Sequence, residues 1–85
     1  MGTKKEVGVE LDLHAMTVDE AIPLMLEYLG EAYLAGLKEV RIVHGKGTGI
    51  LRQAVNREIK KHPLVRSFRP GGKGEGMGGA TVVEF

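Results

Sequence analysis

Two histidines and a run of glycines carry the chemistry open to this chain: Asp12-Leu13-His14 and His44-Gly45-Lys46-Gly47-Thr48-Gly49. An imidazole, with an ordinary pKa of about 6.5, moves protons near neutrality. Phosphodiester cleavage needs one group to deprotonate the nucleophile and one to protonate the leaving oxygen. It also needs donors for the charge that grows on phosphorus. His14 and His44 suit the proton transfers, and Asp12, on the same side of a strand as His14, suits orienting or charge-balancing it. Gly45, Gly47 and Gly49 let the backbone curl towards a ligand just before a helix, where free N–H groups and the helix dipole favour an anion. Lys46 adds a point charge, so the residues from Gly45 through Lys46, Gly47 and Thr48 to Gly49 form a candidate phosphate loop. It lacks the spacing of a nucleotide P-loop, and Ile50 stands where G-x-G-x-x-G needs its last glycine. Plainer readings stand beside this one: a tight turn, and two polar strand-end side chains. Asp12, His14 and His44 also offer oxygen and nitrogen ligands for a divalent metal, without the helical spacing that would support it. His62, next to Pro63, reads as a capping or surface residue.

These groups meet only if the elements place them on one edge. Val7, Val9, Leu11 and Leu13 alternate as one face of a strand over 7–13. Thr17-Val18-Asp19-Glu20 has the form of a capping box, and Val18, Ala21, Ile22, Met25, Leu26, Leu29 and Tyr33 keep helical spacing to about Ala35, with Gly36 as the stop. Pro23 lies inside that helix and should bend it. Glu39 to His44 is a second strand, and Leu51, Ala54, Val55 and Ile59 mark the buried stripe of a second helix ended by Pro63. Leu64 to Arg69 and Ala80 to Phe85 are two further strands, expected to pair antiparallel. Between them residues 70–79 hold six glycines. The order β-α-β-α-β-β gives a two-layer α/β sandwich. A right-handed crossover makes the first two strands parallel, so His14 and His44, 30 positions apart, converge at their C-terminal ends. Open α/β sheets bind ligands on that edge. The other sheet face is left for a partner or a parent protein to cover.

At 85 residues the chain makes one domain, without cysteine and so without disulfides or a thiolate site. No apolar run approaches the ~20 residues of a membrane span, and no signal peptide is visible, which fits a cytoplasmic setting. The net charge of +1 hides an asymmetry: residues 1–37 carry two Lys against seven acids, and residues 38–73 carry ten Lys and Arg against two. Such a basic block attracts phosphate backbones, and Arg41, Arg52, Arg57, Arg66, Arg69 and Lys73 are its candidate contacts. With two Tyr and two Phe there is no stacking platform, so backbone recognition is expected over base reading.

Three ordered motifs resemble the Smr (small MutS-related) domain: Leu11-Asp12-Leu13-His14 with Glu20-Ala21, His44 to Gly49 with Leu51-Arg52, and Gly79-Ala80-Thr81-Val82-Val83. The resemblance covers about residues 8–85, leaving 1–7 as linker or added residues. It implies a fold like the C-terminal domain of translation initiation factor three, and nicking or endonuclease activity on DNA or RNA. It also implies membership of a larger MutS-related chain and a link to recombination control or to stalled and collided ribosomes. The family's aspartate-leucine-histidine motif falls on Asp12 and His14, and its histidine-glycine-x-glycine motif on His44, Gly45 and Gly47. Some members have arginine at the position of His14, so a histidine there fits the cleaving kind. The family usually has glycine after that histidine, where this chain has Ala15, a strain if the turn requires a positive φ.

The expected function is a nuclease domain acting through Asp12, His14 and His44. RNA could supply its own 2′-hydroxyl without a cofactor, whereas DNA needs an activated water, with Mg or Mn as an aid. The rival is a non-catalytic adaptor that docks a parent protein onto nucleic acid or a ribosome by the same basic face.

Overall fold

The computed structural model describes residues 8–74 and 77–85. The expected linker over 1–7, the start of the first expected strand, and Glu75 and Gly76 of the glycine-rich loop lie outside the described residues. The elements are β1 (Glu10–Asp12), α1 (Val18–Leu34), β2 (Glu39–Val43), α2 (Ile50–Lys60), β3 (Ser67–Pro70) and β4 (Ala80–Glu84). They form a mixed α/β fold of two helices on a four-stranded sheet ordered β1-β2-β4-β3. β1 runs parallel to β2, with Glu10 opposite Arg41 and Asp12 opposite Val43. β4 is antiparallel to both β2 and β3, so the last strand of the chain fills the middle of the sheet.

Local signals set the helix ends. Thr17 and Glu20 form the capping box, each accepting the other's backbone N–H. Gly36 takes φ of 83°, and Leu37 N–H reaches the Ala32 carbonyl while Gly36 N–H reaches Tyr33, the Schellman pattern of a helix stop. Pro23 is accommodated inside α1 on an exposed position. The buried face of α1 is Ala21, Met25, Tyr28, Leu29 and Ala32. Expected core residues Leu26 and Tyr33 are instead exposed, Tyr33 standing edge-on to Phe85. Tyr28 is buried in their place, and its hydroxyl donates to the Gly8 carbonyl. Ala54, Val55 and Ile59 are the buried stripe of α2, with Leu51 packed at its margin.

β3 starts later than its apolar residues suggest. His62 N–H bonds Ile59, Val65 N–H bonds the His62 carbonyl, and Leu64 N–H bonds the His62 ring, so the chain is still turning there. This is the capping part expected for His62. Val40, Ile42 and Val83 face the helices in one core with Leu13, Met25, Leu29, Val55 and Ile59. On the opposite sheet face Ala80 and Val82 are also buried, and Arg41 reaches across to the Gly74 carbonyl at 3.2 Å. The chain's own glycine-rich loop thus covers part of the face expected to await a partner.

After β1 the Met16 N–H bonds the Leu13 carbonyl, closing a turn in which Ala15 takes φ of 67°. That conformation favours glycine, so Ala15→Gly should raise stability by about 1 kcal/mol in urea unfolding. An unchanged or lowered midpoint would show that the turn carries no strain.

Candidate active site

The parallel register sets the site. Leu13 N–H still bonds the Val43 carbonyl at 2.7 Å, so the turn after β1 and the loop after β2 leave the sheet side by side. A Cβ placed on Gly45 would sit 3.5 Å from the Cβ of His14, which brings the two histidine segments into contact. Gly79, just ahead of β4, joins them: its carbonyl accepts the N–H groups of both His44 and Gly45, at 3.0 and 2.8 Å. The strand ends and the glycine-rich loop therefore share one edge.

The histidines are held in opposite ways. One oxygen of Asp12 accepts the His14 backbone N–H at 3.0 Å and lies 2.5 Å from His14 Nδ1. The bond to the ring, with the backbone bond behind it, holds the Asp12 carboxyl below the ordinary carboxylate value. Asp12 is then an acceptor and Nδ1 the donor; in the neutral ring the second nitrogen, Nε2, keeps its lone pair. The pair stands in solvent, with 64% of the His14 side chain exposed. Such a dyad can take a proton from a bound nucleophile.

His44, by contrast, is only 5% exposed. Its Nδ1 lies 2.9 Å from the Gly45 carbonyl and its Nε2 lies 3.0 Å from Thr81 Oγ1, which in turn lies 2.7 Å from Asn56 Oδ1. Burial pushes its pKa below the usual imidazole value; the Gly45 bond works against this, and the charge of Arg52 adds to it. Thr81 and Asn56 were not singled out by pattern. Thr81 lies within the third motif, whereas Asn56 carries no mark in the sequence.

The loop places its groups on the same edge. Gly45 and Gly49 both take positive φ, at 79° and 86°, which a β-carbon would strain. Gly49 caps α2 without a side-chain bond, and Thr48 Oγ1 accepts from Ile50 N–H at 3.3 Å. Lys46, Gly47 and Thr48 are exposed. The Arg52 guanidinium lies 3.6 Å from where a Gly49 Cβ would be, over the loop.

The other basic residues do not converge into one track. Arg41 is on the helix-free face, 3.7 Å from Glu10 and bonded to Gly74. Arg69 shares that face, opposite Val82. Arg57 is exposed further along α2, and Lys73 is exposed in the glycine-rich loop, next to the Gly74 that Arg41 holds. Arg66 pairs with Glu84 at the far edge. Among the described residues no three His, Cys, Asp or Glu side chains group to hold a metal, so Asp12, His14 and His44 are not assembled as ligands. No helix among these residues is long and apolar enough to cross a membrane.

Comparison with known proteins agrees with this fold. The Smr domain profile matches residues 11–85. The chain is 51% identical over 82 residues to Endonuclease MutS2 of Caldicellulosiruptor saccharolyticus, covering 96% of this chain and 10% of that protein. Against Endonuclease MutS2 of Clostridium tetani it is 52% identical over 81 residues, covering 95% of this chain and 10% of that protein. The chain thus spans about a tenth of the length of these relatives. Among solved structures, the Smr domain of Thermus thermophilus MutS2 superposes with a TM-score of 0.85 at 44% identity, covering 88% of this chain and 94% of that one. YdaL, a stand-alone small MutS-related protein from Escherichia coli, gives 0.86 at 26% identity, covering 91% and 63%. With its motifs on one sheet edge and its profile matched to the last residue, the chain belongs to the Smr domain family.

Proposed function

We propose that this chain is an endonuclease domain that cuts phosphodiester bonds in DNA or RNA as part of a larger MutS-related protein. The observation that carries the proposal is the exposed Asp12–His14 dyad, its Nε2 open, beside a glycine loop at the start of α2. The names of the relatives above, both endonucleases, support it. Lys46, Arg52 and the loop amides hold the phosphate. His14 Nε2 takes the proton of the attacking oxygen as that oxygen bonds to phosphorus. The bond from phosphorus to the leaving oxygen breaks, and that oxygen takes its proton from solvent on this open edge. In RNA the attacking oxygen is the neighbouring 2′-hydroxyl, and no cofactor is required. On DNA it is a water, whose activation Mg²⁺ or Mn²⁺ would assist. His44, with both ring nitrogens engaged, acts as a positioning residue rather than as the second proton carrier. Recombination control and ribosome rescue are the settings we propose for the parent protein.

The test is incubation of the chain with supercoiled plasmid and with labelled single-stranded RNA, in EDTA and in Mg²⁺ or Mn²⁺. His14→Ala should lose cleavage by about 100-fold or more while its affinity for an oligonucleotide stays within about threefold. Binding by the parent chain without cleavage of either polymer would overturn the enzyme and favour the adaptor. Arg52→Ala should weaken binding to all sequences and lower the slope of log affinity on log salt by about one.

A positioning role for neutral His44 has its own consequence for stability. The unfolded chain takes up this proton at the ordinary value of 6.5, before the folded chain does. The domain should therefore lose stability as the pH falls through and below 6.5, until folded His44 protonates too. Melting temperatures across that window should slope less in His44→Gln; an identical slope would show that His44 is not held in its neutral form.

A further inference from the structure

Behind His44 lies a hydrogen-bond problem with only two solutions. The Gly45 carbonyl can only accept, so the His44 Nδ1 beside it must carry a proton. Thr81 has one hydroxyl proton and two neighbours, His44 Nε2 at 3.0 Å and Asn56 Oδ1 at 2.7 Å. With the Asn56 oxygen towards Thr81, as the amide stands here, Thr81 donates to Asn56, only a protonated Nε2 completes the chain, and this orientation fits a His44 imidazolium. When His44 is neutral, Thr81 must donate to the bare Nε2. Asn56 then has to turn its amide so that an Nδ2 proton faces Thr81 Oγ1. Asparagine has a donor and an acceptor on one planar group and serves both states; leucine can do neither, and an ionised aspartate can only accept.

We infer that Asn56 and Thr81 are positioning residues that hold neutral His44 as its Nδ1–H tautomer and thereby orient the Gly45–Lys46 peptide of the phosphate loop. The ring draws the Gly45 carbonyl to itself, and in a trans peptide the Lys46 N–H then points the opposite way, out of the core. Free histidine in water favours the other tautomer, so the selection is the work of this chain of bonds. The charged groups around the ring are Arg52 from α2 and, past Gly45, the Asp12–His14 pair and Lys46. β4 offers Thr81, and β2 the apolar Ile42. The effect on the loop rests on the phosphate-binding role proposed above; the selection of the tautomer does not.

Nitrogen-15 NMR of the labelled 85-residue chain, without any nucleic acid, reads the ring directly. Neutral His44 should carry its proton on Nδ1. Asn56→Leu should move the His44 titration to lower pH, because the imidazolium loses the acceptor at the end of the chain. Asn56→Asp should move it to higher pH. Thr81→Ser should keep the tautomer; Thr81→Val, which strips the bare Nε2 of its donor, should let the ring leave the Gly45 carbonyl, lose the tautomer and weaken oligonucleotide binding relative to Thr81→Ser. A neutral wild-type ring protonated on Nε2, or shifts of the same sign in the two Asn56 variants, would overturn the inference. If Thr81→Val fails to fold, the wild-type tautomer and the Asn56 pair still decide it. A changed tautomer in Thr81→Val with unchanged binding would overturn the effect on the loop. A chain that cleaves nothing would remove the nuclease and leave the tautomer selection standing.

Discussion

Backbone pairing from Glu10 with Arg41 to Asp12 with Val43 holds β1 alongside β2, and the Leu13 N–H extends the ladder by one more bond to the Val43 carbonyl. A parallel ladder this short is weak by itself and needs the crossover helix to hold it. α1 supplies that by packing Met25 and Leu29 against Leu13, Val40 and Ile42. A slip of one residue would turn Asp12 into the core and Leu13 out of it. The meeting of His14 with Gly45, and with it the whole functional edge, depends on that register.

On this frame two histidines of similar sequence setting have unlike surroundings. His14 follows a strand in a turn that leaves the sheet, and the Asp12 carboxylate orients its ring in solvent. His44 continues the inward alternation of Val40 and Ile42, so its ring enters the core and must find partners for both nitrogens. An exposed ring can exchange protons with a substrate; a buried one with both nitrogens bonded is suited to fixing geometry. The difference comes from the side of the strand on which each residue falls.

Much of this was legible in the sequence wherever the cause is local. Thr17 and Glu20 announce the start of α1, Gly36 its end, and Ala80 to Phe85 reads as a strand paired with the one before it. The convergence of the two motifs needed only the handedness of the crossover. The buried face of α1 was less legible: Leu26 and Tyr33 are as apolar as Tyr28 and Ala32, and the packing that buries one pair and not the other is tertiary. The start of β3 was hidden because Leu64 and Val65 are apolar but belong to a turn around His62. The partners of His44 were not legible at all. Thr81 lies 37 residues from it and 25 from Asn56, and they meet only through the placement of β4 in mid-sheet.

The shared carbonyl of Gly79 has a mechanical meaning. Because it takes the N–H groups of both His44 and Gly45, the segment before β4 and the loop after β2 are pinned at a single atom. The segment richest in glycine is thus tethered to the loop after β2, and Arg41 holds the same segment a second time at the Gly74 carbonyl, next to Lys73.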